Sequence, residues 1–387
     1  MANTLTNLAA DIYKAADVVG RELVGFIPAS TINSNGSERA AKGDNVRASF
    51  TRTAAAGDVA ESMTIPEGTD QTIDSKTLSI SNARAVQIPY TGEDYRHLNN
   101  GIGFETVYGD QIKQAMRTLV NEIEEDLAIE AYTNSSRGHG TAGTTPFGSN
   151  FSEIAELRQI LVDNGMPSND GQASLVVNTL AGTNLRQLAQ LQKANEAGGS
   201  DMLRQGILLD LQGLGVRESG QVQTHVIGAG AGYDVDLGDG YVVGDTTIHL
   251  DGGTVNTTGI KAGDVITFAG DATKYVVNTG TTAVEADIIL NSNGLRATLA
   301  DAVEATIGAA YTANIAFHRS ALELAMRAPA VPEGGDSADD ALTVQDPHSG
   351  LIFEIRVYKG YRKSMIEVAA SWGVKAWKSD YIATLLG

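Results

Sequence analysis

The run Gly228-Ala229-Gly230-Ala231-Gly232, set just after Val226-Ile227, has the residue types of a loop that could wrap a phosphate. Dinucleotide binding needs GxGxxG opening a helix, so that the helix N-terminus meets the pyrophosphate. Tyr233 stands at the last glycine position, and Asp234-Val235-Asp236-Leu237-Gly238 has no helical spacing, so the run reads as a junction. Asp234, Asp236 and Asp239 beside Gly240 offer oxygen ligands of the kind calcium takes. An EF-hand would need an acid or amide at its fifth position and a glutamate at its twelfth, where Gly238 and Asp245 stand. The three acids read as turns of a β domain, with a surface cation as the alternative. The histidines (His97, His139, His225, His249, His318, His348) form neither HxH nor HExxH, and there is no GxSxG elbow to raise a serine nucleophile. With no cysteine, thiolate zinc sites, iron–sulfur clusters, disulfides and cysteine nucleophiles are excluded. The pattern predicts no enzyme, no cofactor and no resident metal.

What must hold such residues is a chain of 387 residues, long enough for two or three domains. At 42% hydrophobic and 19% charged it can bury a sizeable core. Its net charge of −19 would repel a phosphate backbone, which argues against tight nucleic-acid binding. Residues 1 to 11 have no basic leader, and no run of about 18 apolar residues occurs. The expectation is a soluble cytosolic product without a membrane segment.

Leu5, Leu8, Ile12, Ala16 and Val19 predict a helix from about 4 to 24, ended by Pro28 and a polar loop over Thr31 to Ser37. Over 44 to 92 the spacing becomes alternating: Val46, Ala48 and Phe50, then Leu78 and Ile80, then Val86, Ile88 and Tyr90. A polar tip, Pro66-Glu67-Gly68-Thr69-Asp70, lies between. This thin excursion cannot bury a core of its own, and a two-stranded ribbon is marginal in water. It must fold back on its own body or lie across a neighbour.

Tyr108, Ile112, Ala115, Met116, Leu119, Ile123, Leu127 and Ala131 make one stripe, with Glu105, Lys113, Arg117, Glu122, Glu124, Glu125 and Glu130 opposite. They predict a helix over about 104 to 132, roughly 42 Å long. A helix at 152 to 163 with Ser152 as N-cap, a buried strand at 174 to 178 and a helix around Leu185, Leu188 and Leu191 suggest an α/β core. Residues 225 to 312 read as strand and turn throughout, at 241–243, 246–250, 265–268, 274–277 and 288–290, the pattern of a small sandwich or barrel. Three basic residues against eleven acidic ones give this segment a local charge of −8. Beyond it come Ile315 to His318, a helix from Ser320 to Met326, an acidic loop at 333 to 340, and a strand pair at 351–358 and 363–369.

That order resembles the major capsid (coat) proteins of tailed bacteriophages: an α+β chain with the Hong Kong phage-type capsid fold, in the branch that carries an inserted β domain, as in the short-tailed phages of Salmonella. Gly263-Asp264-Val265-Ile266-Thr267-Phe268-Ala269-Gly270-Asp271 is similar to the inserted domain's strand-and-turn sequence, Ile315-Ala316-Phe317-His318-Arg319 to the exit strand, and Trp372-Gly373-Val374-Lys375 to the C-terminal strand. The resemblance implies an N-terminal arm (1–43), an extended β loop (44–98), a peripheral domain with a spine helix (99–150), an axial domain (151–224), the inserted β domain (225–312) and a return to the core (313–387). It places Phe50, Ile65, Pro66, Leu78 and Ile80 at contacts between subunits, and Ile112, Met116, Leu119, Ile123 and Leu127 in the spine-helix core. It further implies hexamers and pentamers in an icosahedral head around double-stranded DNA, built in the host cytoplasm with scaffolding and portal proteins, a cement protein being a further option. At about 88 residues the inserted segment is shorter than in the best-known relatives, and no Lys–Asn cross-link is nominated. An encapsulin-type nanocompartment shell and a secreted acidic β-rich surface protein are the alternatives.

Overall fold

The computed structural model describes residues 5–50, 58–59, 61–65, 74–94, 104–192, 210–254, 258–346 and 348–387. The helix Phe104–Thr133 runs for 30 residues, about 45 Å. Its apolar stripe, including Ile112, Met116, Leu119, Ile123 and Leu127, is buried between the helix Leu5–Glu22 and a sheet. That sheet contains Thr31–Ala40, Leu322–Pro329, Lys363–Ala376, Ile352–Gly360 and Ala338–Gln345 in spatial order, with Asn82–Thr91 also paired to Lys363–Ala376. Asp126 fastens helix to sheet, accepting hydrogen bonds from Trp372 Nε1 at 2.7 Å and Asn82 Nδ2 at 2.6 Å.

The polar loop expected at 31 to 37 is a strand, and the helix expected at 320 to 326 is its parallel partner. The physical reason is burial on both faces. In Leu322–Pro329, Leu322, Leu324 and Met326 alternate with Glu323, Ala325 and Arg327, and both sets are buried. Glu323 and Arg327, four apart, imitate a helix pair, but in the strand they serve partners distant in sequence. Glu323 accepts from Asn33 Nδ2 at 3.0 Å, and Arg327 donates to Glu38 at 3.0 Å and to the Asn33 carbonyl at 2.9 Å.

A second layer is built on Ala173–Val177, which pairs with Tyr311–His318 and, in parallel, with Leu214–Glu218. Ile382–Leu386 and Arg137–Gly140, two strands with no clear sequence signal, extend it. The helices Ser152–Asp163, Thr179–Gln187 and Ala189–Gln192 share its core. Ser152 is not the cap; Asn150 Oδ1 accepts from Ser152 N at 3.0 Å.

Residues 233 to 307 form a closed six-stranded antiparallel barrel. Its strands run Val265–Phe268, Glu304–Ile307, Tyr233–Val235, Thr247–Asp251, Ala286–Leu290 and Lys274–Thr279, and the last pairs back to the first. Closure removes the free edges that an acidic two-layer sandwich would expose. Tyr233, Ile248, Leu250, Ile266, Phe268, Tyr275 and Ile288 fill the interior. Of the strand expected at 241–243, only Tyr241 pairs, bridging to Leu299. The first residues of Lys274–Thr279 also pair with Arg137–Gly140, so the barrel is hydrogen-bonded into the second layer rather than tethered to it. Among the described residues no helix is long and apolar enough to cross a membrane.

Candidate functional site

The excursion at 44 to 92 divides into a root, a ribbon and a return strand. Asn45–Phe50 and Asp74–Ser79 pair antiparallel, from Asn45 opposite Ser79 to Phe50 opposite Asp74. At the root, Gly43 N donates to the Ile80 carbonyl and Ile80 N to the Asp44 carbonyl, each at 2.8 Å. Leu78 and Ile80, expected at a contact between chains, are buried within one chain against Ala40 and Ala325. Val46 and Trp377 pack on the same cluster. The alternation that marked them shows only that one face of the ribbon is apolar; which molecule covers that face is set by the root's docking on the sheet.

Farther out the situation reverses. Val59, Met63 and Ile65 are 103%, 107% and 91% exposed. Pro66 lies outside the described residues, and Phe50 is placed by its backbone as the last residue of its strand. A locked root is thus followed in the chain by three large apolar side chains left in solvent. Val59 and Met63 were not singled out by sequence because they sit in a polar, small-residue context without periodicity.

The second feature is the elbow between the N-terminal helix and the long helix. Glu124, expected on the solvent side, is 5% exposed. Its carboxylate accepts from Phe26 N and Ile27 N, both at 2.8 Å, at the start of the short helix Phe26–Ala29. Burial is the largest influence on this carboxyl and pushes its pKa up from 4.5, against the backbone N–H groups that favour the charge. Beside it lies a cleft of about 470 Å³ lined by Val19, Val24, Arg117, Asn121 and Ser219, among others. Arg117 donates to both oxygens of Glu22, at 2.7 and 2.6 Å, across the outer side of the elbow.

The third feature joins the barrel to the C-terminal end of the long helix. His225 and Asp264, both buried, meet at 2.7 Å, and Asp264 also accepts from Lys261 N at 2.8 Å and Gly228 N at 3.1 Å. The rings of Tyr132 and Tyr311 pack on His225 at 5.2 and 5.4 Å. Asn291 Nδ2 donates to the carbonyls of Thr133 and Ser135 at 3.0 and 2.7 Å, supplying partners for carbonyls that a helix C-terminus leaves unpaired. The glycine run finds its explanation here: a Cβ on Gly228 would lie 1.9 Å from the Gly259 carbonyl oxygen, so the run is a close backbone crossing. Asn291→Ala should cost about 1–2 kcal/mol by leaving those two carbonyls without donors, read as a lower midpoint in urea.

Among the described residues a serine–histidine–aspartate set does come together. His318 lies 2.8 Å from Asp170 through Nε2 and 2.8 Å from Ser320 Oγ through Nδ1. Ser320 N donates to the same Nδ1 at 3.2 Å, so the imidazole lone pair caps the turn Arg319–Ala321. The hydrogen bond from His318 holds the Asp170 carboxyl below its ordinary range. Of the acids near Gly240, Asp234 and Asp236 share the outer face of the barrel, while Asp239 lies in a turn.

No protein-family model matches the chain, and no curated protein matches it at significance. Solved structures do. One, described as the capsid structure of the cyanophage P-SCSP1u, aligns over 94% of this chain and 88% of its own, with 10% identity and a TM-score of 0.50. A chain of Mycobacterium phage Che8 covers 89% of this one and 85% of its own at 13% identity and 0.46. A virus-like particle from Pyrococcus furiosus covers 97% and 98% at 8% and 0.42. The mixed α+β architecture described above is the fold of the cyanophage capsid chain.

Proposed function

We propose that this chain is the major capsid protein of a tailed bacteriophage, a structural protein that assembles with copies of itself into hexamers and pentamers of an icosahedral head. The observation that carries the reading is the arm: a root fixed in its own sheet and, beyond it, Val59, Met63 and Ile65 almost wholly exposed. Such an arm is satisfied by lying across a neighbouring copy, and many identical contacts of moderate size close under point symmetry. The capsid fold shared with the cyanophage chain supports this reading. In it, residues 44–98 are the extended loop, 99–150 the peripheral domain, 151–224 the axial domain and 225–312 the insertion, now described as a barrel. Double-stranded DNA is enclosed rather than adsorbed, since a wall of net charge −19 per chain disfavours a tight grip on phosphates. Scaffolding and portal proteins are the partners of assembly in the host cytoplasm, and the virion is the final location.

The test is negative-stain microscopy of the expressed chain, alone and with a scaffolding partner, followed by nuclease treatment and assay of protected DNA. Uniform icosahedral shells are expected, with protected DNA when a packaging system is present. Shells that hold protein and never DNA would assign the chain to a nanocompartment. A dispersed monomer under all conditions would overturn the reading.

A further inference from the structure

We propose that the outer face of the barrel binds one divalent transition-metal ion through His249 Nε2 and the carboxylates of Asp236 and Glu285, with Asp287 orienting the imidazole. Strand alternation sends Ile248 and Leu250 inward and leaves His249 and Asp251 outside. Register then builds two rows across the face. In one, Glu304 and Asp251 stand directly opposite Asp234 on its two sides. In the other, Asp287 stands directly opposite His249, and Asp236 N donates to the His249 carbonyl at 3.1 Å. Directly opposed like charges on a sheet are destabilising. Of Asp234, Asp236, Asp251, Glu285, Asp287, Glu304 and His249, only the last can carry positive charge, so the face as built is short of cations.

The geometry around the imidazole says which cation suits it. Nδ1 lies 2.6 Å from Asp287 Oδ1, a contact that commits one ring nitrogen to a carboxylate and leaves Nε2 as the free ligand atom. This carboxylate–histidine pairing is the usual outer support of a metal-bound imidazole. Nε2 faces Glu285 at 3.6 Å and Asp236 at 4.0 Å, both longer than a hydrogen bond, and the three ligand atoms lie within 4.8 Å of one another. An ion about 2.0–2.2 Å from each ligand in tetrahedral geometry separates them by roughly 3.3 Å. Closing from these separations to that distance takes side-chain movements of up to about 1.5 Å, and the Glu285 and Asp236 side chains are 68% and 51% exposed and free to make them. The imidazole itself is set by its backbone, whose N–H donates to the Tyr241 hydroxyl at 2.8 Å. One nitrogen and two carboxylates, completed by water, form a zinc-type donor set rather than the all-oxygen cage of calcium. The ion ties the strand Thr247–Asp251 to the residue after Tyr233–Val235 and the residue before Ala286–Leu290, and neutralises the row.

Titration calorimetry of the full chain, stripped with chelator and titrated with zinc chloride, tests this. One ion per chain is expected. His249→Gln or the pair Asp236→Asn with Glu285→Gln should remove binding, and Asp287→Asn should weaken it about 10–100-fold. Asp239→Asn, in a turn and not among the clustered ligands, should bind as the natural chain does. Intense visible bands on cobalt-loaded natural chain, the mark of four-coordination, give a readout that needs no variant to fold. The proposal is overturned if the natural chain takes up no zinc, if His249→Gln binds it equally, or if calcium binds as tightly as zinc.

Discussion

Val59→Ser, Met63→Ser and Ile65→Ser, combined in one chain, should abolish shell formation while leaving the monomer as stable as before. In the isolated chain these three side chains are at or above 91% exposure, so replacing them removes no buried contact. Surface changes of that kind alter folding stability by about 0.5 kcal/mol or less. In an assembled shell each would move from water into a contact, worth about 1.5–3 kcal/mol per side chain. Losing three removes roughly 5–9 kcal/mol per contact before compensation, a factor of about 10³ or more in each association step. Because every copy repeats the contact, the defect multiplies and particles should be missing altogether from sedimentation profiles and micrographs. Leu78→Ser is the opposing control. Its side chain is buried in its own chain, so that variant should lose about 2–4 kcal/mol of folding stability. Normal shells from the triple variant would sink the assignment of the arm to inter-chain contact.

The same contrast shows what could be read in the sequence and what could not. The long helix was legible because Tyr108, Ile112, Leu119, Ile123 and Leu127 keep one stripe over about five turns, and local spacing suffices when burial lies on one side. The barrel was legible through its turns, which recur at close to ten-residue intervals around short alternating strands. Leu322–Pro329 was not, because Glu323 and Arg327 sit at helix spacing and the partners that bury them, like the neighbouring strands Thr31–Ala40 and Lys363–Ala376, lie far away in sequence. Leu78 and Ile80 illustrate the limit for the site: the pattern finds an apolar face but not its occupant. The outer-face constellation around His249 was invisible for the same reason, since Asp236, His249, Glu285 and Asp287 meet only through strand register. Glu124 is the clearest case. Nothing about a glutamate among Glu122, Glu125 and Glu130 says that it alone turns inward to receive two backbone N–H groups.

Glu124→Ala should therefore be the most damaging single change on the polar side of the long helix, at about 3 kcal/mol. It leaves Phe26 N and Ile27 N without an acceptor in a buried setting, at about 1–3 kcal/mol each, offset in part by relief of the carboxylate's own desolvation. Glu124→Gln separates charge from shape and carries a sign. Burial raises the folded pKa of this carboxyl above 4.5, so the folded state holds the proton more tightly than the unfolded chain does. The stability that Glu124 gains from that proton is fully present below pH 4.5 and is lost as pH rises through the raised folded value. The advantage of the natural chain over Glu124→Gln should accordingly grow as pH is lowered from 8 toward 5, measured as the difference between their unfolding free energies in urea. An ordinary surface-paired carboxylate would give the opposite slope. If the advantage shrinks on acidification, the N–H groups of Phe26 and Ile27 outweigh burial and the elbow is held by a charge. If it grows, the joint between the N-terminal arm and the long helix is held by a buried acid that tightens as it takes up a proton, and the elbow becomes firmer under mildly acidic conditions while the surface pair Arg117–Glu22 does not.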